Sequence, residues 1–85
     1  MTVVVLYFAA LRERIGREAQ MLDIPSEGLA VSDLLTRLGA ADARAATALA
    51  EEPRLRVAVN HTLCAMDDLV RPGDEVAVFP PMTGG

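Results

Sequence analysis

The 85 residues are enough for one small domain, and a chain of this length buries only about two thirds of its unfolded surface. Apolar residues make up 52% of the sequence but aromatic residues only 4%, so we expect a folded domain whose core is built from Val, Leu, Ile and Ala. The net charge is −4 and all eight basic residues are Arg, which excludes the basic stripe that attracts nucleic acid, so no nucleic-acid partner is expected.

Cysteine content and the N-terminus favour the cytoplasm. A single cysteine, Cys64, has no partner for an internal disulfide, and the first residues lack the charged, apolar and small-residue pattern of a secretion signal. The longest apolar run, VVVLYFAAL at residues 3–11, has about half the length of a membrane-spanning helix. A membrane partner is therefore not expected.

The N-terminal third predicts two strands. TVVVLYFA, residues 2–9, is rich in β-branched residues and apolar at both alternating sets of positions, which is typical of a central strand. The charged segment LRERIGREA, residues 11–19, is interrupted by Gly16 and predicts a loop or a single helical turn. AQMLDI, residues 19–24, predicts a second strand, and Pro25–Gly28 a turn.

Two helices are predicted in the middle of the chain. Ser32 precedes DLLTRL, residues 33–38, and is the expected N-cap of the main helix, which Gly39 would end. The helix carries one apolar stripe at helical spacing, formed by Val31, Leu34, Leu35 and Leu38. AADARAATALAEE, residues 40–52, predicts a second, shorter Ala-rich helix that Pro53 ends.

The last third predicts three more strands. RLRVAVN at 54–60 alternates in the manner of a strand, 61–62 is a tight connection, and LCAM at 63–66 is a short partner strand. Pro72–Gly73 predicts a turn, and VAVF at 76–79 the last strand.

This order of elements predicts an α+β fold. With the first and last strands side by side at the centre and a right-handed crossover, the result is a ubiquitin-like β-grasp. It has a mixed sheet of about five strands on one main helix, with the Ala-rich helix as a second one. Residues 1–79 are expected to form a single β-grasp domain, and residues 80–85 a flexible C-terminal Gly-Gly tail.

Most polar candidates for catalysis favour structural roles. One cysteine and one histidine cannot form a structural zinc site or an iron-sulfur ligand set, so no metal is expected. Cys64 fits a small buried apolar residue, and His61 a solvated turn residue. The carboxylate pairs Asp67–Asp68 and Asp74–Glu75 are neighbours in turns, so turn formation is favoured over acid-base catalysis.

The first strand predicts a second apolar surface. Alternation points Val4, Leu6 and Phe8 away from the face that carries Val3, Val5 and Tyr7. If one helix covers only one face of the sheet, the other face exposes Leu6, Phe8 and Phe79 as a partner interface. The alternative is that the Ala-rich helix closes over this second face.

The C-terminal segment FPPMTGG predicts a reactive arm. Pro80 and Pro81 cannot extend the sheet ladder and stiffen the base of the arm, and six extended residues reach roughly 20 Å. Gly84 and Gly85 lack side chains and can thread a narrow channel. The α-carboxylate of Gly85, with a pKa of about 3.5, becomes an acyl donor only after activation, for example as a mixed anhydride with AMP.

Three segments resemble the small, sulfur-carrying subunit of molybdopterin synthase, a ubiquitin-like family. They are VLYFAALRERIG at residues 5–16, RVAVNHTL at 56–63 and GDEVAVFPPMTGG at 73–85. The resemblance covers nearly the whole chain, and the last segment is its most specific part.

The resemblance implies a sulfur carrier that does not itself catalyse the reaction. Gly85 would be adenylated by a ubiquitin-activating-type enzyme that uses ATP, and a sulfur donor would convert it to a thiocarboxylate. The arm would then enter the large synthase subunit, which holds the catalytic residues. There the sulfur passes to cyclic pyranopterin monophosphate. The arm consists of Pro80, Pro81, Met82, Thr83, Gly84 and Gly85. The resemblance also implies a heterotetramer and nucleotide binding only through the adenylate. It implies no permanently bound cofactor or metal.

Two departures and several alternatives qualify the resemblance. Two residues depart from the family pattern: Met82 stands where a smaller Val is usual, and Val78 stands where an aromatic residue is common. Arg12 and Glu13, by contrast, match the family's Arg-Glu pair after the first strand. A carrier for another pathway, such as thiamine thiazole synthesis, uses the same chemistry. A ubiquitin-like protein modifier or an interaction domain with an inert tail are further alternatives.

Overall fold

The computed structural model describes residues 1–81, which form seven strands and three helices. In chain order these are β1 Thr2–Tyr7, α1 Ala9–Ile15, β2 Ala19–Asp23, β3 Leu29–Ala30, α2 Val31–Ala41, α3 Ala43–Ala50, β4 Arg56–Val59, β5 Thr62–Leu63, β6 Leu69–Val70 and β7 Glu75–Phe79. Within the described residues no helix combines the length and apolar character needed to cross a membrane.

The main sheet has five strands in the order β2-β1-β7-β4-β5. The first and last strands, β1 and β7, pair in parallel at its centre, and the remaining pairs in this sheet are antiparallel. This confirms the predicted α+β β-grasp with its mixed five-stranded sheet. A second, two-stranded sheet of β3 and β6 was not predicted, because Leu69–Val70 lies in a segment whose residues indicate only turns.

One hydrophobic core lies between the helices and one face of the main sheet. Val3, Val5 and Tyr7 of β1 point into it, as alternation predicts. Helix α2 contributes its apolar stripe, and α3 contributes Ala45 and Ala48. All three helices therefore cover the same face, which we call the inner face; the opposite side is the outer face.

The segment after β1 is a two-turn helix, so the prediction of a loop or single turn was wrong. Leu11 and Ile15 of α1 stand one turn apart and are both buried in the core. The helix ends at Gly16, which adopts φ 85° and donates its N–H to the Arg12 carbonyl. Apolar burial at this spacing outweighs the charged sequence around it.

The predicted ends of the main helix were also wrong. Ala30 is the N-cap of α2, and the Ser32 side chain makes no capping bond. Instead, the N–H groups of Val31 and Ser32 donate to the carbonyls of Asp68 and Met66, both at 2.9 Å, so a distant loop satisfies the helix start.

Gly39 lies inside α2, which continues to Ala41. A Cβ at Gly39 would lie 3.2 Å from Cβ of Ala46, so the glycine permits close approach of α2 and α3. Helix α3 begins at Ala43 because the Asp42 carboxylate accepts from the N–H groups of Arg44 and Ala45.

The hairpin of β4 and β5 is shorter than predicted. Its turn residues, Asn60 and His61, both have positive φ, one residue earlier than expected. Strand β5 ends at Leu63, although the Cys64 N–H still donates to the Val57 carbonyl at 3.0 Å. The predicted turn at Pro72–Gly73 is confirmed, with Gly73 at φ 89°.

Candidate functional site

A continuous apolar row crosses the outer face of the sheet. The register places Leu6 of β1 between Ala19 and Ala77, and Ala77 next to Ala58, whose partner on β5 is Leu63. Cross-strand partners share a face. The row therefore runs across all five strands of the main sheet.

Burial shows that this row is separate from the core. Ala58 is only 8% exposed yet is not part of the core cluster, so its neighbours on the outer face cover it. Towards the edges of the sheet, Met21 and Leu63 are 62% and 59% exposed. The outer face is thus apolar and, within residues 1–81, not covered by any helix.

The alternative that the Ala-rich helix closes over the outer face is wrong. Helix α3 packs against α1 and α2, and its buried residues Ala45 and Ala48 belong to the core on the inner face. The small side chains of α3 favour close helix packing. Leu6, Phe8 and Phe79 therefore stay accessible to a partner, although their role as an interface is still a prediction.

Phe8 and Phe79 lie together where the tail leaves the domain. The Phe8 N–H donates to the Val78 carbonyl at 3.2 Å, which extends the β1–β7 pairing by one residue beyond Tyr7. Phe8 keeps an extended backbone, so alternation directs its ring to the outer face, where it is 44% exposed. Phe79 is the last residue of β7 and is half-buried.

Pro80 and Pro81 follow Phe79 directly and are half-buried at the edge of the outer face. The remaining predicted site residues, Met82, Thr83, Gly84 and Gly85, lie outside the described residues. The described part of the site is therefore the apolar outer face together with the base of the tail.

A groove lies beside the base of the tail. It has a volume of about 760 Å³, and Pro81 forms part of its wall together with Arg54, Arg56 and Leu63. Cys64, Met66 and Asp68 also line it. No local residue pattern predicts this groove, because its walls come from β4 and the two residues before it, from β5 and the loop that follows, and from Pro81.

Cys64 is a half-buried thiol with structural contacts. Its Sγ–H donates to the Val57 carbonyl at 3.4 Å, and the side chain packs against the core. Burial raises the pKa of the Cys64 thiol, and the negative charge of Asp68 raises it further. Little thiolate forms at neutral pH, so the thiol is a poor nucleophile, in agreement with the sequence interpretation.

The other polar candidates also have structural surroundings. The His61 side chain is 87% exposed at the hairpin turn, with Nε2 3.5 Å from the Glu75 carboxylate. Asp74 accepts from the Arg71 N–H and from Asn60 Nδ2, and Asp68 accepts from the N–H of Ala65. The contacts of Asp68 and Asp74 close turns, as predicted, whereas Glu75 is the first residue of β7 and does not lie in a turn. Among residues 1–81, no group of three or more His, Cys, Asp and Glu side chains could hold a metal ion.

Sequence reasoning missed several members of the outer face. Ala58, Ala77, Met21 and Leu63 extend the surface around Leu6. Alternation in AQMLDI, RLRVAVN and VAVF indicates which residues share a face within each strand. It does not say which face of which strand lies next to Leu6, because that depends on register.

The sequence matches one protein-family model and is similar to individual known proteins. The model of the ThiS family matches residues 5–85. The molybdopterin synthase sulfur carrier subunit of Escherichia coli (strain K12) is 42% identical over 81 residues, which are 95% of this chain and 96% of that protein. The subunit of the same name from Haemophilus influenzae is 44% identical over 82 residues, with the same two shares.

Solved structures agree with the fold. SAMP1 of Haloferax volcanii, a small archaeal modifier protein, has a TM-score of 0.81 at 26% identity, and the match covers all of both chains. A chain in the complex of subunits 1 and 2 of molybdopterin-converting factor from Helicobacter pylori has a TM-score of 0.67 at 20% identity, again over the full length of both chains. The latter similarity supports the fold alone.

Proposed function

The chain belongs to the ThiS family, and we propose that it is a sulfur carrier in molybdenum cofactor biosynthesis. The observation that carries this proposal is its identity of 42–44% with two molybdopterin synthase sulfur carrier subunits over 95% of the chain. An apolar outer face that ends beside the base of the tail supports it, because such a carrier has to dock on a protein that receives its C-terminus.

The proposed chemistry takes place at Gly85. Its carboxylate attacks the α-phosphate of ATP in an activating enzyme, which releases pyrophosphate and leaves an acyl adenylate. A sulfur donor then displaces AMP and leaves a thiocarboxylate. The thiocarboxylate sulfur is transferred to cyclic pyranopterin monophosphate in the large subunit of molybdopterin synthase, and water cleaves its bond to the Gly85 carbonyl carbon, which restores the carboxylate.

The described residues contribute docking to this cycle. Leu6, Phe8 and Phe79 provide the apolar contact, and Pro80 and Pro81 direct the arm away from the sheet. In this proposal the catalytic residues belong to the large subunit, two carriers and two large subunits form a heterotetramer, and the reaction takes place in the cytoplasm. The carrier itself holds no resident cofactor or metal.

The test is the intact mass of the chain after incubation with its activating enzyme, ATP and a sulfur donor. We expect one oxygen to be replaced by one sulfur at the C-terminus. Deletion of Gly85 should abolish the exchange, whereas Met82→Val, which keeps the terminal glycine, should preserve it. An unchanged mass, with an enzyme that is active on a known carrier, contradicts the proposal.

A second candidate function is protein modification, favoured by the similarity to the archaeal modifier SAMP1. In that case Gly85 would be joined to lysines of other proteins through an isopeptide bond. Mass spectrometry of digested cell extracts would detect branched peptides that carry this C-terminus. The sequence contains no Lys, so chains built on its own lysines are excluded.

A carrier for thiamine thiazole synthesis would share the thiocarboxylate and differ in its acceptor. Purification of the tagged chain with its bound partners distinguishes the two pathways. The large synthase subunit is expected to co-purify, and recovery of a thiazole synthase in its place contradicts the assignment to molybdenum cofactor synthesis.

A further inference from the structure

The groove beside the tail base carries two arginines whose guanidinium groups form no ion pair in the described part of the chain, although the backbone N–H of Arg54 donates to the Glu52 carboxylate at 3.3 Å. Arg54 and Arg56 both line it. Three other arginines form ion pairs, Arg12 with Glu18, Arg14 with Glu51 and Arg17 with Asp42, whereas no carboxylate of residues 1–81 lies within 4.0 Å of either groove guanidinium. The groove is thus locally basic in a chain whose net charge is −4.

The acidic residue that lines the groove, Asp68, is engaged elsewhere. Its Oδ2 accepts a hydrogen bond from the Ala65 N–H at 2.8 Å, and its backbone carbonyl accepts from the N–H of Val31 at the start of α2. Asp68 therefore closes the loop after β5. The two guanidinium groups keep their donors available for an external carboxylate.

Position links these arginines to the tail. Arg56 is the register partner of Phe79, so both side chains stand on the outer face at the last residue of β7. Two residues later, Pro81 forms part of the groove wall. A protein that covers Phe79 and receives the tail therefore also lies over Arg56.

The groove is also continuous with the apolar outer face. Leu63 belongs to both, as the register partner of Ala58 and as part of the groove wall. Met66, which also lines the groove, is 41% exposed. An apolar centre with charged groups at its edge is the usual arrangement of a protein interface, with the charges in the rim.

We propose that Arg54 and Arg56 form a docking site for an acidic segment of the large subunit, next to the channel that receives the tail. The inference rests on the proposed function and adds the chemistry of the partner surface. Guanidinium groups bind carboxylates with paired N–H donors, which fixes orientation. Charges at an interface rim mainly raise the association rate, so the arginines would orient the carrier as the tail approaches the channel.

Charge reversal at both positions tests the proposal. Binding of Arg54→Glu/Arg56→Glu to the purified large subunit would be compared with that of Arg37→Glu/Arg71→Glu, which makes the same charge change at exposed arginines without ion pairs in residues 1–81. At low salt we expect the groove variant to associate about tenfold more slowly than wild type. The control variant should stay close to wild type, and at high salt all three rates should converge.

Two outcomes separate this inference from the proposed function. If wild type binds the large subunit and the groove variant binds at the same rate and with the same salt dependence, the docking site is wrong and the carrier function stands. If wild type itself does not bind, the proposed function fails and the docking site with it. Unchanged circular dichroism and Tm of both variants would exclude unfolding as the cause of slower binding.

A photo-crosslinking amino acid in place of Met66 identifies the occupant directly. We expect crosslinks to a segment of the large subunit that is rich in Asp and Glu. Crosslinks only to neutral or basic segments would overturn the proposal.

Discussion

The hydroxyl of Tyr7 donates a hydrogen bond to Oε1 of Gln20 at 3.0 Å, between the central strand β1 and the edge strand β2. The ring of Tyr7 is 1% exposed in the core on the inner face. A buried hydroxyl needs such a partner, because an unpaired one costs about 1–3 kcal/mol. The hydrogen bond satisfies the Tyr7 hydroxyl, so a polar group can stand at the last inner-face position of β1, one residue before Phe8.

The first prediction concerns ionisation of Tyr7. Burial raises the pKa of Tyr7 to about 12, and the negative charge of Asp42 contributes in the same direction. Tyr7 is the sole tyrosine of the chain, so tyrosinate absorbance reports this side chain alone. We expect a midpoint near pH 12 in the folded protein and near pH 10 in denaturant.

The raised pKa of Tyr7 makes the free energy of unfolding depend on pH. The folded state holds the proton more tightly than the unfolded state, so the contribution of Tyr7 is complete below about pH 10 and is lost as pH rises towards 12. Denaturant titrations across this range should show falling free energy of unfolding, and Tyr7→Phe should remove this part of the decline. A folded-state midpoint near pH 10 would contradict the prediction.

The second prediction separates binding from folding at Phe8. Phe8 is 44% exposed on the outer face, so Phe8→Ala should lower Tm by only a few degrees. Aromatic residues at the centre of an interface often contribute more than 1 kcal/mol, so we expect affinity for the large subunit to fall about tenfold or more. Calorimetric titration measures this change.

Leu69→Ala is the matched control, since Leu69 is 47% exposed but lies in the small sheet of β3 and β6. Its affinity for the large subunit should equal that of wild type. Equal losses in both variants would argue against the outer face as the binding surface.

The third prediction compares two glycines of similar backbone conformation. Gly28 and Gly73 have φ of 84° and 89°, so alanine at either position costs about 1–2 kcal/mol in backbone strain. At Gly28 a Cβ would also lie 2.4 Å from the Val70 carbonyl oxygen, whereas at Gly73 no atom of residues 1–81 outside its chain neighbours would lie within 4 Å. Gly28→Ala should therefore lower the free energy of unfolding clearly more than Gly73→Ala in urea titrations.

Similar losses at the two glycines would show that the contact with Val70 relaxes without cost. This oxygen belongs to the backbone of β6, which pairs with β3. A shift there would separate the two strands of the small sheet, so we expect the additional loss to be measurable.

The fourth prediction concerns the start of α3. The Asp42 carboxylate caps this helix through the Arg44 N–H at 2.9 Å and also lies 3.5 Å from the Arg17 guanidinium. Asp42→Ala should lower the free energy of unfolding by about 1 kcal/mol through loss of the cap. Asp42→Asn keeps an oxygen acceptor for the cap and should cost less than Asp42→Ala, because it removes only the ion pair with Arg17, whose side chain is 50% exposed. Equal losses in both variants would assign the stability to the ion pair.

Much of the fold could be predicted because its determinants are local. The β-branched residues of β1 and β7, the apolar stripe of α2 and the turn at Pro72–Gly73 each lie within a few neighbouring residues. Local patterns failed where a distant segment intervenes. Ser32 does not cap α2, because the carbonyls of Met66 and Asp68 accept hydrogen bonds from the first N–H groups of the helix. Gly39 does not end the helix, because it lies where α3 packs closely against α2.

The amino-acid sequence by itself determined the apolar alternation of the strands, the helix that covers one face, and the order of residues that ends with two prolines and two glycines. Only the tertiary structure decided that Leu6, Ala77, Ala58 and Leu63 form one row, that α3 leaves this row open, and that Arg54 and Arg56 stand beside Pro81. The physical reason is the range of the interactions. Alternation and turn preference act between neighbouring residues, whereas register and helix packing depend on which distant segments bury their apolar surfaces together.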